Sequence, residues 1–121
     1  MSQFNDTGYA TITLTGTVSQ YARVTAAGAT AGATDQDIGV AMVDGVSGDV
    51  ISVALLSKAG THLAIAASAL TKGAKVHTAA SGKVNDTQAT GAFLRGIAME
   101  AAGADGDIIE ILPCVGDTAG S

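Results

Sequence analysis

The side chains that could perform catalysis or bind a metal stand apart from one another in this sequence. His62 and His77 are the only imidazoles, and neither has a second histidine, a cysteine or a glutamate at a metal-ligand spacing. Cys114 is the single cysteine, which excludes an internal disulfide and a zinc site built on paired thiolates. The sequence therefore predicts a protein that is not an enzyme, with no catalytic, cofactor or metal site.

Two pairs of aspartates and one lysine raise further possibilities of ligand binding. Asp35 and Asp37, and likewise Asp105 and Asp107, have a spacing that occurs in calcium loops, but no further alternating oxygen ligands or bidentate glutamate follow them. These acids are interpreted as turn residues. Lys83 follows a single glycine and lacks both the upstream glycine and the hydroxyl residue of a phosphate-binding loop. Nucleotide binding is therefore rejected.

Composition narrows the classes of partner. The chain has 121 residues and a net charge of -5, and its six basic side chains are scattered, so no basic patch is available for nucleic acid. The longest apolar stretch, residues 63–70, is too short to cross a membrane, and the N-terminus lacks the pattern of a secretion signal. We expect no nucleic-acid or membrane partner and a protein made in the cytoplasm.

The elements that position these residues are short strands. From Tyr9 onward threonine alternates with apolar residues, which at a period of two places Ile12 and Leu14 on one face and threonines on the other. Residues 26–34 are small and lack periodicity, and are expected to form a loop. Residues 64–71 favour at most one or two helical turns. Sixteen glycines punctuate the sequence, which predicts an all-β class.

An internal duplication organises these strands. The sequence Ile-Gly-Val-Ala-Met at 38–42, followed by Gly-Asp-Val-Ile-Ser-Val at 48–53, recurs as Arg-Gly-Ile-Ala-Met at 95–99 and Gly-Asp-Ile-Ile-Glu-Ile at 106–111. Gly-Asp closes a turn and the β-branched residues after it favour extended backbone, so each copy is predicted to be a hairpin. Residues 72–84 form a strand, turn and strand, of which residues 22–28 are a weaker echo.

The duplication predicts two related hairpin units joined near residues 57–60. Because two units are too few for a solenoid, we expect one small β-barrel or β-tulip-like domain at residues 9–113. The polar residues 1–8 are predicted to form an extended, flexible N-terminal arm, and residues 114–121 a flexible C-terminal tail. The core is thin because much of the 47% hydrophobic content is alanine, so additional burial against a partner or a second copy is expected.

The order of these motifs resembles the capsid cement, or decoration, proteins of tailed bacteriophages. The similarity covers residues 9–113 and runs from the opening threonine-rich strand, through the segments at 36–41, 48–55, 70–76 and 82–84, to the second copy of the hairpin at 95–102 and 106–111. Each motif alone is ordinary hairpin sequence. Their order and spacing together carry the resemblance.

The resemblance implies a viral structural protein of the capsid exterior, present in the host cytoplasm before assembly. It implies a homotrimer that sits at threefold and quasi-threefold positions of the phage head and stabilises contacts between major capsid protein subunits. The N-terminal arm would extend over a neighbour, which makes its side chains the candidate capsid contacts: Ser2, Gln3, Phe4, Asn5, Asp6 and Thr7. No catalytic or cofactor-binding residue is implied.

Several alternatives stay open at the level of sequence. Another virion subunit, such as a tail-tube protein, fits the same features, and a β-rich carbohydrate-binding module fits less well because aromatic residues make up only 3% of the chain. Phe4 either anchors in a pocket on a neighbour or has no such role. Met42 and Met99 are interpreted as core residues or, alternatively, as residues facing a subunit boundary. Cys114 is interpreted as a packed side chain or a reactive thiol.

Overall fold

The computed structural model describes residues 8–56, 60–87 and 90–113, and the described part consists of short strands and turns. The strands are β1 (Tyr9–Thr13), β2 (Arg23–Thr25), β3 (Asp37–Ala41), β4 (Val50–Leu55), β5 (His62–Ile65), β6 (Lys75–Thr78), β7 (Val84–Asn85), β8 (Leu94–Ala98) and β9 (Ile108–Pro113). A single 3₁₀ turn at Ala80–Gly82 separates β6 from β7. The predicted all-β class is confirmed.

The strands form two antiparallel sheets, one for each copy of the repeat. The first sheet has the order β1-β4-β3-β2, and the second has the order β5-β9-β8-β6-β7. The predicted hairpins are β3–β4 and β8–β9, and in each unit the strand that opens the unit pairs with the second strand of the hairpin. Each copy therefore builds its own sheet in the described residues, and the expected small, barrel-like all-β fold is observed as a curled half-barrel sheet.

The residue register shows that the two sheets are equivalent position by position. Val24 pairs with Gly39 in the first sheet and Val76 pairs with Gly96 in the second, and the register shifts directly after each pair. A register shift of this kind is a β-bulge, in which an additional residue re-aims a side chain. Unit 1 (residues 9–55) and unit 2 (residues 61–113) thus share strand order, pairing and bulge.

The turns inside the two hairpins use the same chemistry. Gly48 and Gly106 have φ angles of +94° and +95°, a conformation that favours glycine. The carboxylates that follow them close the turns, since Asp49 accepts a hydrogen bond from the Val46 amide and Asp107 from the Gly103 amide. The Gly-Asp pair predicted from sequence to close each hairpin does so.

Each unit has its own apolar cluster. The cluster of unit 1 contains seven buried side chains: Leu14, Val18, Ala22, Val24, Ala41, Ile51 and Val53. Unit 2 buries nine, four of them alanine: Ala64, Ala66, Leu70, Val76, Val84, Ala98, Ala102, Ile109 and Ile111. The clusters are small, as the alanine-rich composition predicted.

Two local expectations have clear outcomes. Ile12 and Leu14 lie inward of an exposed threonine row, as predicted. The helical turns expected at 64–71 are wrong, because Ala64 and Ile65 belong to β5 and pair with β9. Tertiary pairing here overrides the helix propensity of alanine. The predicted joint near 57–60 lies mostly outside the described residues, as do the arm up to Thr7 and the tail from Cys114.

Candidate functional site

Three charged side chains that are distant in sequence meet between the two sheets. Asp37 on β3 accepts a hydrogen bond from Nε of Arg95 on β8 at 2.8 Å, and Nη2 of Arg95 lies 2.8 Å from the same carboxylate oxygen. Nη1 of Arg23, on β2, lies 3.5 Å from that oxygen. All three side chains are buried, at 4% exposure or less. One carboxylate therefore joins two guanidinium groups across the boundary between the units.

Arg23 also binds backbone carbonyls from both units. Its Nε donates to the Lys83 carbonyl at 2.9 Å and its Nη2 donates to the Gly32 carbonyl at 3.2 Å. The same Nη2 also contacts the Ala31 and Ala79 carbonyls. A guanidinium group has five donors in a fixed plane, which suits it to connect several acceptors at once. Arg23 thus fastens the segment after β6 to the loop after β2.

The electrostatics of this cluster are those of a structural contact. Burial lowers the pKa of Arg23 and the Asp37 carboxylate opposes that effect. Nη1 of Arg23 and Oδ2 of Asp37 have no hydrogen-bond partner in the described part of the chain. The gap beside the cluster has a volume of only about 10 Å³, which leaves no room for a substrate. The cluster holds the two sheets together and leaves no space for a reacting molecule.

The cluster revises one interpretation made from sequence. Asp35 is a turn acid as expected, and its carboxylate accepts a hydrogen bond from the Gly32 amide. Asp37 is not a turn acid, because it lies on β3 and is 2% exposed. Among the second pair, Asp107 closes a turn while Asp105 forms an ion pair with Lys83. The four aspartates therefore have four separate structural settings and do not converge on one ion.

The two histidines are placed in different surroundings. Nε2 of His62 lies 2.8 Å from the Leu55 carbonyl oxygen, so this ring links the start of β5 to the end of β4. His77 on β6 is buried and its Nδ1 has no hydrogen-bond partner in the described residues. Burial, with a smaller contribution from Lys75, lowers the pKa of His77. The two imidazoles therefore occupy separate places in the fold, His62 at the boundary between β4 and β5 and His77 within the second sheet.

No group of three metal-ligating side chains occurs within residues 8–56, 60–87 and 90–113. No helix in the described ranges is long and apolar enough to cross a membrane.

The outer surface carries more apolar area than the sequence reasoning identified. A groove of about 170 Å³ lies where β5 passes the first sheet, and its lining is mostly apolar: Tyr9, Tyr21, Val40, Met42, Ala54, Thr61, His62 and Leu63. Beyond it, one face of the second sheet exposes Leu63, Met99, Ile108 and Leu112, each at 40–50%. Contiguous exposed apolar side chains mark contact surfaces.

The positions of Met42 and Met99 can be judged against this surface. Met42 is half-buried at the groove, and Met99 is 40% exposed on the second sheet. The interpretation of Met99 as a core residue is therefore wrong. Its alternative, a subunit boundary, stays a prediction. The candidate contacts Ser2, Gln3, Phe4, Asn5, Asp6 and Thr7 lie outside the described residues, and so does Cys114.

Two repeats with a buried charged clamp and an apolar outer face define a small, β-rich structural protein. The phage cement protein family matches residues 3–113. The base of the head fibre gp8.5 of bacteriophage phi29 has a similar fold, with a TM-score of 0.71 at 19% sequence identity over 91% of this chain and 96% of that chain. No curated protein matches the sequence.

The chain belongs to the phage cement protein family, because the match spans nearly its whole length. The resemblance stated from the order of the motifs is thereby confirmed. It is a capsid-associated structural protein of a bacteriophage. The finer questions are how many copies assemble and what they contact.

Proposed function

We propose that this protein binds the exterior of the phage head as a homotrimer, at threefold and quasi-threefold positions, and stabilises contacts between major capsid protein subunits. The match of the cement protein family to residues 3–113 carries the proposal. The head-fibre base with a similar fold is, by its description, also part of a phage head, which agrees with this location.

The mechanism is mechanical and depends on copy number. A trimer offers three identical contacts, and once the first has formed the second and third occur at effective concentrations on the order of millimolar. Weak individual contacts then give tight binding to the shell. The buried clamp of Arg23, Asp37 and Arg95 suits this role because it fixes the two units relative to each other under load.

The N-terminal segment is proposed as the capsid contact, through Ser2, Gln3, Phe4, Asn5, Asp6 and Thr7. Backbone groups of an extended segment can add to a sheet edge without demanding particular side chains, and the segment is polar apart from Met1 and Phe4. Phe4 would supply an apolar anchor within it. The cement family match begins at Gln3, so it includes most of this segment.

Deletion of residues 1–8 tests the role of this segment. We expect occupancy on purified heads that lack the protein to fall at least tenfold at limiting protein concentration, while the circular dichroism spectrum and melting temperature of the variant stay close to those of the full chain. Phe4→Ala tests the anchor, with Thr15→Ala as a matched control on an exposed position of the domain. Unchanged occupancy of the deletion variant would refute the arm as the attachment.

A further inference from the structure

The two units bury equivalent residues to very different extents. In unit 1, Arg23, Val40 and Ala54 are paired in one row across β2, β3 and β4, and their exposed fractions are 1%, 4% and 3%. Side chains of directly paired residues share one face of a sheet. This row, named row 1, is covered.

The equivalent row in unit 2 is open. By register, Lys75, Ile97 and Leu112 occupy the positions of Arg23, Val40 and Ala54. Row 2, formed by these residues, has an exposed lysine, a half-buried isoleucine and a leucine that is 44% exposed. Equivalent positions are therefore buried in unit 1 and exposed to solvent in unit 2.

Strand β5 covers Val40 and Ala54 of row 1, and it shares the cover of Arg23 with Val84, Arg95 and Ile111 of the same unit. His62 lines a groove with Val40 and Ala54, and His62 and Ala64 line the narrow gap that holds Arg23. The His62 ring also lies 2.8 Å from the Leu55 carbonyl oxygen, beside the same row. Strand β5 opens unit 2, so within the chain the opening strand of one unit packs on the outer row of the other.

Strand β1 is the counterpart of β5, and it too is incompletely covered. Ala10 pairs with Val53 as His62 pairs with Ile111, and Ile12 pairs with Ile51 as Ala64 pairs with Ile109. His62 and Ala64 are buried, whereas Ala10 and Ile12 are only half-buried. The chain therefore contains a second opening strand, β1, that packs on no outer row. It also contains a second outer row, row 2, that no opening strand covers.

We propose that β1 of a second copy of this chain covers row 2, as β5 covers row 1 within the chain. The contact is head-to-tail, since each copy offers a different surface to each neighbour, and it closes into a ring of three when each contact rotates one copy by a third of a turn. A ring of three would contain six repeat units in alternating within-chain and between-chain contacts. The ring rests on the homotrimer of the proposed function and assigns it a surface.

The apolar part of row 2 matches the apolar side of β1. Row 2 offers Ile97 and Leu112, and β1 offers Ala10 and Ile12.

Oligomeric state in solution, measured without phage heads, tests the proposal. Leu112→Glu places a charge in row 2 at a position exposed enough to leave the fold intact, and Val46→Glu is its control, because Val46 is 56% exposed in the turn between β3 and β4, outside both row 2 and strand β1. Sedimentation equilibrium should show the trimer of the wild type weakened at least tenfold by Leu112→Glu and unchanged by Val46→Glu. A trimer unaffected by Leu112→Glu, with its circular dichroism intact, overturns the proposed surface and leaves the trimer standing.

Cysteine pairing tests the direction of the contact. In a Cys114→Ser background, a chain carrying Ala10→Cys is mixed with a chain carrying Leu112→Cys under mild oxidation, because Ala10 and Leu112 are the counterparts of His62 and Ala54, which line one groove within the chain. A disulfide formed in the mixture and absent from each chain alone supports the head-to-tail ring. A disulfide formed by Leu112→Cys alone contradicts it, since that result requires a twofold contact. A wild-type chain that stays monomeric at high concentration refutes the ring and the trimer together, while head occupancy of the arm deletion still tests attachment separately.

Discussion

At the scale of single residues, Asp37 is the most constrained side chain in the molecule. It is the one buried acid among the described residues, and it faces Arg23 and Arg95 from two different sheets. Removal of one partner from a buried ionic group is costly because the remaining charges keep their desolvation penalty and lose their compensation. Asp37 therefore determines whether two buried guanidinium groups are tolerated.

Asp37→Asn should lower the free energy of unfolding by about 3–5 kcal/mol, because it leaves Arg23 and Arg95 without a counter-charge. Asp35→Asn is the matched control, since Asp35 is exposed and only closes a turn, and its loss should cost about 1 kcal/mol or less. Urea unfolding followed by circular dichroism measures both. A cost below 1 kcal/mol for Asp37→Asn would contradict the clamp.

The contact of Asp37 with Arg23 and Arg95 could not be predicted from the sequence. Arg95 and Asp37 are 58 residues apart, and neither has an oppositely charged residue within four positions along the chain. What brings them together is the packing of one sheet on another, which leaves no local pattern in the chain. The one available signal was the duplication itself, in which Arg95 occupies the place of Ile38, an unusual exchange within an apolar strand.

At the scale of elements, the duplication accounts for most of what could be predicted. The repeated Gly-Asp pair and the repeated Gly-x-Ala-Met segment are local, so they identified both hairpins and their order. The short strand β2 was recognised only as an echo, because Arg23–Thr25 is three residues long and carries little periodicity. The prediction of helical turns at 64–71 was wrong because the composition of this segment favours a helix, whereas its pairing with β9 makes its first residues a strand.

Gly39 and Gly96 test the equivalence of the two units. A Cβ atom on Gly39 would lie 2.1 Å from the Ala54 carbonyl oxygen, and one on Gly96 would lie 2.3 Å from the Leu112 carbonyl oxygen. Both atoms are backbone, so the clash requires the paired strands to separate. Gly39→Ala and Gly96→Ala should each destabilise the protein by about 2–3 kcal/mol.

Gly16→Ala is the control for this pair, because no atom lies within 4 Å of a Cβ built there. Its free energy of unfolding should stay within about 0.5 kcal/mol of the wild type. Thermal or urea unfolding of the three variants measures the comparison. If the free energies of unfolding of Gly39→Ala and Gly96→Ala differ from each other by several kcal/mol, the hairpins β3–β4 and β8–β9 do not have the same close packing.

At the scale of the whole molecule, the two units are related in sequence but joined asymmetrically. Unit 2 covers the outer row of unit 1, and the reverse contact is absent from the described part of a single chain. Sequence indicated two units and a thin core, and from these an additional covering surface was expected. It could not indicate which rows meet, because equivalent positions in a repeat have the same local pattern whether they are buried or exposed.

The same asymmetry predicts that neither unit folds alone. Unit 1 without β5 exposes Arg23, Val40 and Ala54, and unit 2 without unit 1 leaves Arg95 buried beside no carboxylate. Units of about 50 residues with small apolar clusters are marginal even when their surfaces are satisfied. Fragments 1–57 and 58–121 should each give the circular dichroism and the narrow amide proton dispersion of an unfolded chain. The full chain should unfold in one transition by both probes. A dispersed spectrum and a cooperative melt from either fragment would show that the contact between units is dispensable for folding, and the clamp would then serve only to orient them.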